Sequence, residues 1–437
     1  MNATGLWLLW QAVLAPYAAC FTRPGFGRFV EWLTGLALNV EEHTITQSLI
    51  GLERADDWKA LEAFAEYGAW DRDEVERVTA QLLEDVPGRL WHGFHVWAGD
   101  DTKVHRTSKK VWGTNTFHEY TARCPNRAST VRAHNWVVLG ALLHNLNQPA
   151  WFVPVAGRLY FRASQLPAGE VFRTKCQLLV ELARRQVAAV GGKHLVVFDG
   201  GFATRNVVRP LVGADDGSPR IHVLTRLRHD ARLFRVPDEQ RRPGQRGPLS
   251  KWGRQLPPPR QGGRWPGEWR EGQAFLYGRL RRVRYKEVVC LWSVLGWDLP
   301  VKAVVAEVEG YRQRFTLVCS ALSLSGLDIV TLFCARFRQE DGFRDLKQRL
   351  GWEECRAWTK LPIERTTQAL FVVFVALRIV QWRLEAAGET EWWLPPPWNP
   401  RKVRPSVLDL ERLFRRWRGE IQALLACWLE KVVKVAG

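Results

Sequence analysis

TKCQLLVELARRQVAAVGGKHLVVFDGG, residues 174–201, decides the fold class. Its first part has helical periodicity and stops at the glycine pair 191–192. HLVVFDGG then reads as a short buried strand that ends in Asp199 and two more glycines. Three strand-like runs precede it: WHGFHVWAGDDTKV (91–104), NWVVLGALLH (135–144) and AWFVPVAGRLYF (150–161). Strands, a helix and a further strand make an α/β arrangement around a central sheet.

Working outward, residues 1–90 read as an N-terminal helical domain, with HTITQSLIGL (43–52), a charged break at Glu53–Asp57 and WKALEAFAEYGAW (58–70). Thr44 or Thr46 can cap one helix, and Asp56 or Asp57 the next. Two short helices across such a break suit a helix-turn-helix and equally a small bundle. Residues 91–234 carry the first part of the α/β domain. Residues 235–325 read as a basic, β-rich insertion. It opens with RRPGQRGPLSKWGRQLPPPRQGGRWPGEWR (241–270), an irregular loop by composition. Strand-like runs return at 275–294, 300–308 and 313–321. Residues 326–388 contain two strong helices, 326–350 and 361–388. A Pro- and Trp-rich connector and a basic amphipathic helix fill 389–437.

The net charge of the 437 residues is +18, which favours a polyanionic partner, nucleic acid above all. The eight cysteines show no C-x-x-C spacing and no zinc-like cluster with histidine, so a reducing, cytoplasmic setting is expected. Residues 5–20 look faintly like a lipoprotein signal ending at Cys20, but no Lys or Arg precedes Arg23. The apolar run 369–377 is too short to span a bilayer and suits a buried helix. No membrane association is expected.

Acids at strand ends carry the chemistry. Asp100 and Asp101 close one strand and Asp199 another, where side chains of α/β sheets open to solvent. Neighbouring strand residues point to opposite faces, so only one of Asp100 and Asp101 can enter a site with Asp199. Glycines after Asp199 permit close approach of a backbone or phosphate. In FCARFRQEDGFRDLKQ (333–348), Phe333, Arg336, Glu340, Arg344 and Lys347 recur at three- and four-residue steps, so a continuous helix would hold them on one stripe. Read blandly, that stripe is a solvated face with Arg336–Glu340 and Glu340–Arg344 pairs worth about 0.2–0.5 kcal/mol each.

The pattern F-x2-R-x3-E-x6-K at Phe333, Arg336, Glu340 and Lys347 resembles the Y-x2-R-x3-E-x6-K signature of bacterial insertion-sequence DDE transposases. FRDLKQRLGWEECR (343–356) is similar to its continuation. DDTKV (100–104) resembles the D-x-T element at the family's first acid, and VVFDGGFA (196–203) the strand of its second. The resemblance runs from about residue 90 to 385. It implies an RNase H-like mixed sheet interrupted by the β-rich insertion, with Asp100, Asp199 and Glu340 as catalytic metal ligands and Asp101 as the alternate first acid. Mg²⁺ would be the cofactor, with Mn²⁺ able to substitute. Arg336, Lys347, Arg344 and Phe333 would contact DNA, Phe333 without the family's tyrosine hydroxyl.

The activity so implied is cut-and-paste DNA transposition: hydrolysis at element ends, then joining of the 3′-hydroxyls to target DNA by a two-metal mechanism. The partners would be double-stranded terminal inverted repeats and target DNA, with a homodimer in the synaptic complex at the nucleoid. The alternatives are an RNase H-like nuclease without strand transfer and a catalytically inactive, transposase-derived DNA-binding protein. Within the insertion, Trp252, Trp265, Trp269, Trp292 and Trp297 could stack on an unpaired base or fill its core. The clusters 241–254 and 279–286 suit phosphate contacts, and His134–Asn135 could approach the site.

Overall fold

The computed structural model describes residues 1–119, 129–145, 148–213, 220–237 and 247–434. In chain order these form α1 (Ala3–Leu14), α2 (Arg23–Leu38), α3 (Gln47–Ile50), α4 (Trp58–Tyr67) and α5 (Arg72–Leu82), then β1 (Leu90–Trp91), β2 (Phe94–His105), β3 (Asn115–His118), β4 (Thr130–Leu143) and β5 (Trp151–Tyr160). Next come α6 (Lys175–Ala189), β6 (His194–Phe198), α7 (Arg205–Gly213), β7 (Ile221–Arg226) and β8 (Leu233–Phe234). The strands β9 (Arg270–Leu276), β10 (Arg279–Trp292), β11 (Pro300–Val308) and β12 (Phe315–Cys319) follow. Last are α8 (Gly326–Ala335), α9 (Arg338–Gln348), α10 (Lys360–Ala386), α11 (Val407–Arg416) and α12 (Arg418–Lys434).

All twelve strands belong to one sheet with the order β3-β4-β2-β6-β7-β12-β11-β10-β8; β1, β5 and β9 pair with β2, β4 and β10. β2, β6 and β7 run parallel at its centre. β4 and β5 continue it antiparallel on one side. Parallel strands are covered on both faces and read as continuous apolar runs, and His194–Phe198 is buried throughout. The result is a mixed α/β architecture consistent with an RNase H-like fold. Pro154 is tolerated in β5 because that strand is bonded on one edge only, opposite a bulge at Leu139/Gly140. A Cβ on Gly140 would lie 2.4 Å from the Phe152 ring, so the bulge needs glycine.

The insertion differs from its expected form. Its strands continue the central sheet, because β12 pairs antiparallel with β7 (Leu317 opposite Arg226). Of its tryptophans, Trp265 and Trp292 are core residues at 2% exposure, Trp252 packs against Phe234 and Trp297 lies under Lys251. The first basic cluster falls partly on 238–246, outside the described residues.

The N-terminal helices pack with the C-terminal ones, α1 and α2 against α10 and α12, and α4 against α10. α3 is a single turn, too short for a helix of a helix-turn-helix; its N-cap is Thr46, without a side-chain cap bond, and Thr44 Oγ1 accepts from Gln47 N at 3.2 Å. The segment Ala3–Cys20 is long and apolar enough to cross a membrane, with mean hydropathy 1.2. Here Leu6, Trp10, Val13 and Leu14 from it are fully buried in the bundle. The 369–377 run lies wholly buried in α10. α5 is fastened to the sheet by a buried pair, Arg158 of β5 donating to Glu76 at 2.5 and 2.9 Å.

Candidate active site

The site begins with register. β2 and β6 pair in parallel with Gly99 opposite Phe198; β6 ends there, whereas β2 runs on to His105, so Asp100 and Asp101 lie within their strand and not at its close as expected, with Asp100 beside Asp199 at the end of β6. Neighbouring strands lie about 4.8 Å apart, which brings the two carboxylates within strong electrostatic reach. Asp199 Oδ1 accepts from Gly201 N at 2.8 Å, and its carbonyl accepts from Thr225 Oγ1 at 2.9 Å. A Cβ on Gly201 would sit 3.0 Å from that Oδ1, so glycine leaves room for the Asp199 carboxylate to fold back.

Faces alternate along β2, and this separates the two candidate first acids. Gly99 faces α6, where a Cβ would meet Leu179 at 2.4 Å. Asp101, two residues on, lies on that same face and pairs with Lys175 Nζ at 2.6 Å, at the start of α6. Asp100 projects to the other side, where Arg336 Nη1 donates to its Oδ2 at 3.0 Å. Burial pushes the Asp100 carboxyl up to about 7; Arg336 pulls it down and Asp199 pushes it further up. A carboxylate held this way is short of positive charge.

Arg336 sits at a break in the expected helix. Residues 326–350 form α8 and α9 with a turn at 336–337, not one continuous helix. The turn is tightened by i→i−3 bonds, Phe337 N to Cys334 O at 3.2 Å and Glu340 N to Phe337 O at 3.1 Å. The single stripe is therefore lost. Arg336 lies over the Phe333 ring at 5.7 Å and turns to Asp100, and Phe333 itself is buried. Arg344 pairs with Asp341 at 2.8 Å. Lys347 Nζ donates to the Lys103 carbonyl of β2 at 2.6 Å. Neither Arg336–Glu340 nor Glu340–Arg344 forms. Glu340 is exposed and its carboxylate makes no hydrogen bond or ion pair among the described residues, though partial burial raises its carboxyl above the ordinary value against the pull of Arg336.

The structure thus brings Asp100, Asp199 and Arg336 together. It does not gather Glu340 with the two aspartates: among the described residues no three His, Cys, Asp or Glu side chains are grouped to hold a metal ion. The two aspartates alone fit a hard cation that uses few protein oxygens, and the Arg336 guanidinium already occupies one cationic position beside Asp100. His134 and Asn135 lie inside β4, fully buried, His134 Nε2 at 2.8 Å from the Trp112 carbonyl; they face no site. Burial drops the His134 imidazole to about 4. Two supporting residues gave no sequence signal, Lys175 and Thr225, because each acts through a partner distant in the chain.

A family model described as DDE superfamily endonuclease matches residues 16–288, a span that includes both aspartates and ends before Glu340. No curated protein matches the chain. The family match supports nuclease- or transposase-type chemistry on DNA.

Proposed function

The chain belongs to the DDE superfamily of endonucleases, and on that footing we propose that it is a cut-and-paste DNA transposase of the insertion-sequence type. The observation that carries this reading is the Asp100–Asp199 pair, set side by side by the parallel register of β2 and β6, with Arg336 against Asp100. Asp100 and Asp199 would hold Mg²⁺ or Mn²⁺, with Glu340 as the third ligand from α9. A divalent ion bound there supplies Lewis acidity for phosphodiester hydrolysis and transfer.

The protein groups do the rest. Asp199 is oriented by Gly201 and Thr225, so its carboxylate stays at the strand end. Arg336 holds Asp100 in place, and with a divalent ion on the carboxylates its guanidinium would be free to meet a phosphate. Arg344 lies at the exposed side of α9, poised for backbone phosphates, and Lys347 ties α9 to β2. The N-terminal helices would help read terminal inverted repeats, and two ends would be paired in a homodimer.

The test is Mg²⁺- or Mn²⁺-dependent cleavage of DNA carrying the repeats that border the gene, with Asp199→Asn and Glu340→Ala beside the wild type. Cleavage lost in both variants, with joining of paired ends by the wild type, supports transposition. Cleavage without joining supports a plain nuclease. One observation favours a second reading, a DNA-binding relative without activity: Glu340 stands apart from the aspartates. Equal inertness of wild type and both variants would establish it.

A further inference from the structure

Two cavities lie between the residue after Asp199 and the insertion, sharing Arg260 and Arg314 as walls. The nearer, 570 Å³, starts at Gly200, beside Asp199, and runs past Arg226 and Arg228. The farther, 380 Å³, is closed by Arg264, Arg284 and Trp269. Neither has an acidic side chain in its wall.

These cations come from elements that only the folded sheet brings together. Arg226 ends β7, Arg260 and Arg264 lie on the turn Pro259–Arg264, Arg284 is on β10 and Arg314 precedes β12. The Trp269 indole organises part of the cluster, with the Arg284 guanidinium 4.5 Å and that of Arg314 6.0 Å from the ring centre. Acids behind the walls compensate some charge: Glu307 holds Arg314 at 2.7 Å and Arg284 at 3.3 Å, and Asp230 holds Arg228 at 3.2 Å. Arg226, Arg260 and Arg264 make no ion pair among the described residues. Guanidinium groups without an ion pair among the described residues, gathered along two adjoining walls, favour an extended anion.

A free anion would need one seat, whereas this path has several cationic walls and begins at Gly200, the residue after Asp199. We propose that the groove carries a single strand of DNA away from the Asp100–Asp199 pair, its phosphates on Arg226, Arg260 and Arg264. The inference rests on the reading of those aspartates as the reacting centre. It uses none of the 279–286 cluster except Arg284. A run of arginines on the surface beside an indole suits one backbone with unpaired bases.

The experiment is fluorescence anisotropy of a labelled single-stranded oligodeoxynucleotide with the full chain in EDTA, over a salt series. The variant Arg226→Ala/Arg260→Ala/Arg264→Ala should lower the slope of log K against log salt by about 2, at about 0.7 for each single-strand phosphate that is no longer neutralised. Arg383→Ala/Arg401→Ala, exposed near the end of α10 and in the connector after it and outside both cavities, should leave the slope unchanged. If the triple variant misfolds by circular dichroism, Arg260→Ala and Arg264→Ala separately should each remove about 0.7. An unchanged slope in a folded variant, an equal loss in the control, or a larger loss for duplex than for single strand overturns the groove. Metal-dependent cleavage of wild type against Asp199→Asn is scored separately. A groove that fails while that cleavage holds sinks only this inference, and the reverse outcome sinks only the reading of the aspartates.

Discussion

Asp100→Asn should make the metal-free protein more stable at alkaline pH while removing its cleavage. The folded chain raises the Asp100 carboxyl from 3.8 to about 7, through burial first and the Asp199 charge next, against the pull of Arg336. A raised acid contributes stability that is fully present below its unfolded pKa and is lost as pH rises through the folded one. The loss therefore accrues between about pH 4 and pH 7. At about 1.4 kcal/mol per tenfold change in proton affinity it reaches about 4 kcal/mol as a ceiling. Solvent reaches 24% of the side chain, so about 2–4 kcal/mol is the working range. Asparagine resembles the protonated acid and should not carry this penalty. Thermal melts in EDTA should show wild type and variant converging near pH 4 and the variant melting higher above pH 7. Mg²⁺ at a hundred times its dissociation constant should restore about 2.7 kcal/mol to the wild type and nothing to the variant. A variant less stable than wild type at pH 8 without metal would refute the reasoning, because Asp100 would then be a satisfied ion-pair partner and not a carboxylate awaiting charge.

Glu340→Gln should leave the melting temperature within the scatter of surface substitutions, about 0.5 kcal/mol, because its carboxylate makes no bond, yet abolish cleavage of a labelled duplex. Asp101→Asn should retain cleavage, since Asp101 faces α6 and Lys175; loss of activity equal to that of Asp100→Asn would reverse the assignment of faces. Arg336→Ala should drive the Asp100 carboxyl still higher, shifting the pH dependence of Mg²⁺ binding, read by calorimetry, to more alkaline values. Glu76→Ala should cost about 3–5 kcal/mol in chemical denaturation, because it leaves the Arg158 guanidinium, 3% exposed, buried with weakened compensation.

Much of the fold could be read from local pattern. The apolar strand ending in Asp199, the helix before it and the three runs upstream all appear as β6, α6, β2, β4 and β5, because each is long enough to show its own period. The insertion could not be placed the same way. That β12 pairs with β7 depends on two segments about ninety residues apart, and no local period records which sheet a strand will join. The N-terminal helices gave a similar problem: their apolar faces announce burial but not the partner, which is α10 and α12 from the far end of the chain. Within the 279–286 cluster, Arg282 and Arg284 pair across the ladder with Glu309 and Glu307, a pairing that no local pattern records.

The site was legible to the extent that strand register could carry it. Parallel pairing of β2 with β6 stops at Gly99 and Phe198, which sets Asp100, inside β2, beside Asp199, just past β6, before any helix is considered. Glu340 depended instead on a helix being continuous, and a tightened turn at Arg336–Phe337 redirects everything after it. The residue that fills the third place is Arg336, a cation where the sequence pattern led to a carboxylate. Electrostatics accounts for this: two crowded carboxylates in a metal-free site attract the nearest flexible positive charge, and bringing Glu340 in would add a third like charge. A divalent ion reverses that balance. Assembly of the triad is then expected to follow cation binding, with the turn at 336–337 as the joint that lets α9 move relative to α8. Hydrogen exchange of the Arg336–Glu340 amides, measured with and without Mg²⁺, should change there while the β2 and β6 amides stay protected. Unchanged exchange at the turn alongside full metal-dependent cleavage would mean that two aspartates suffice and Glu340 plays no part.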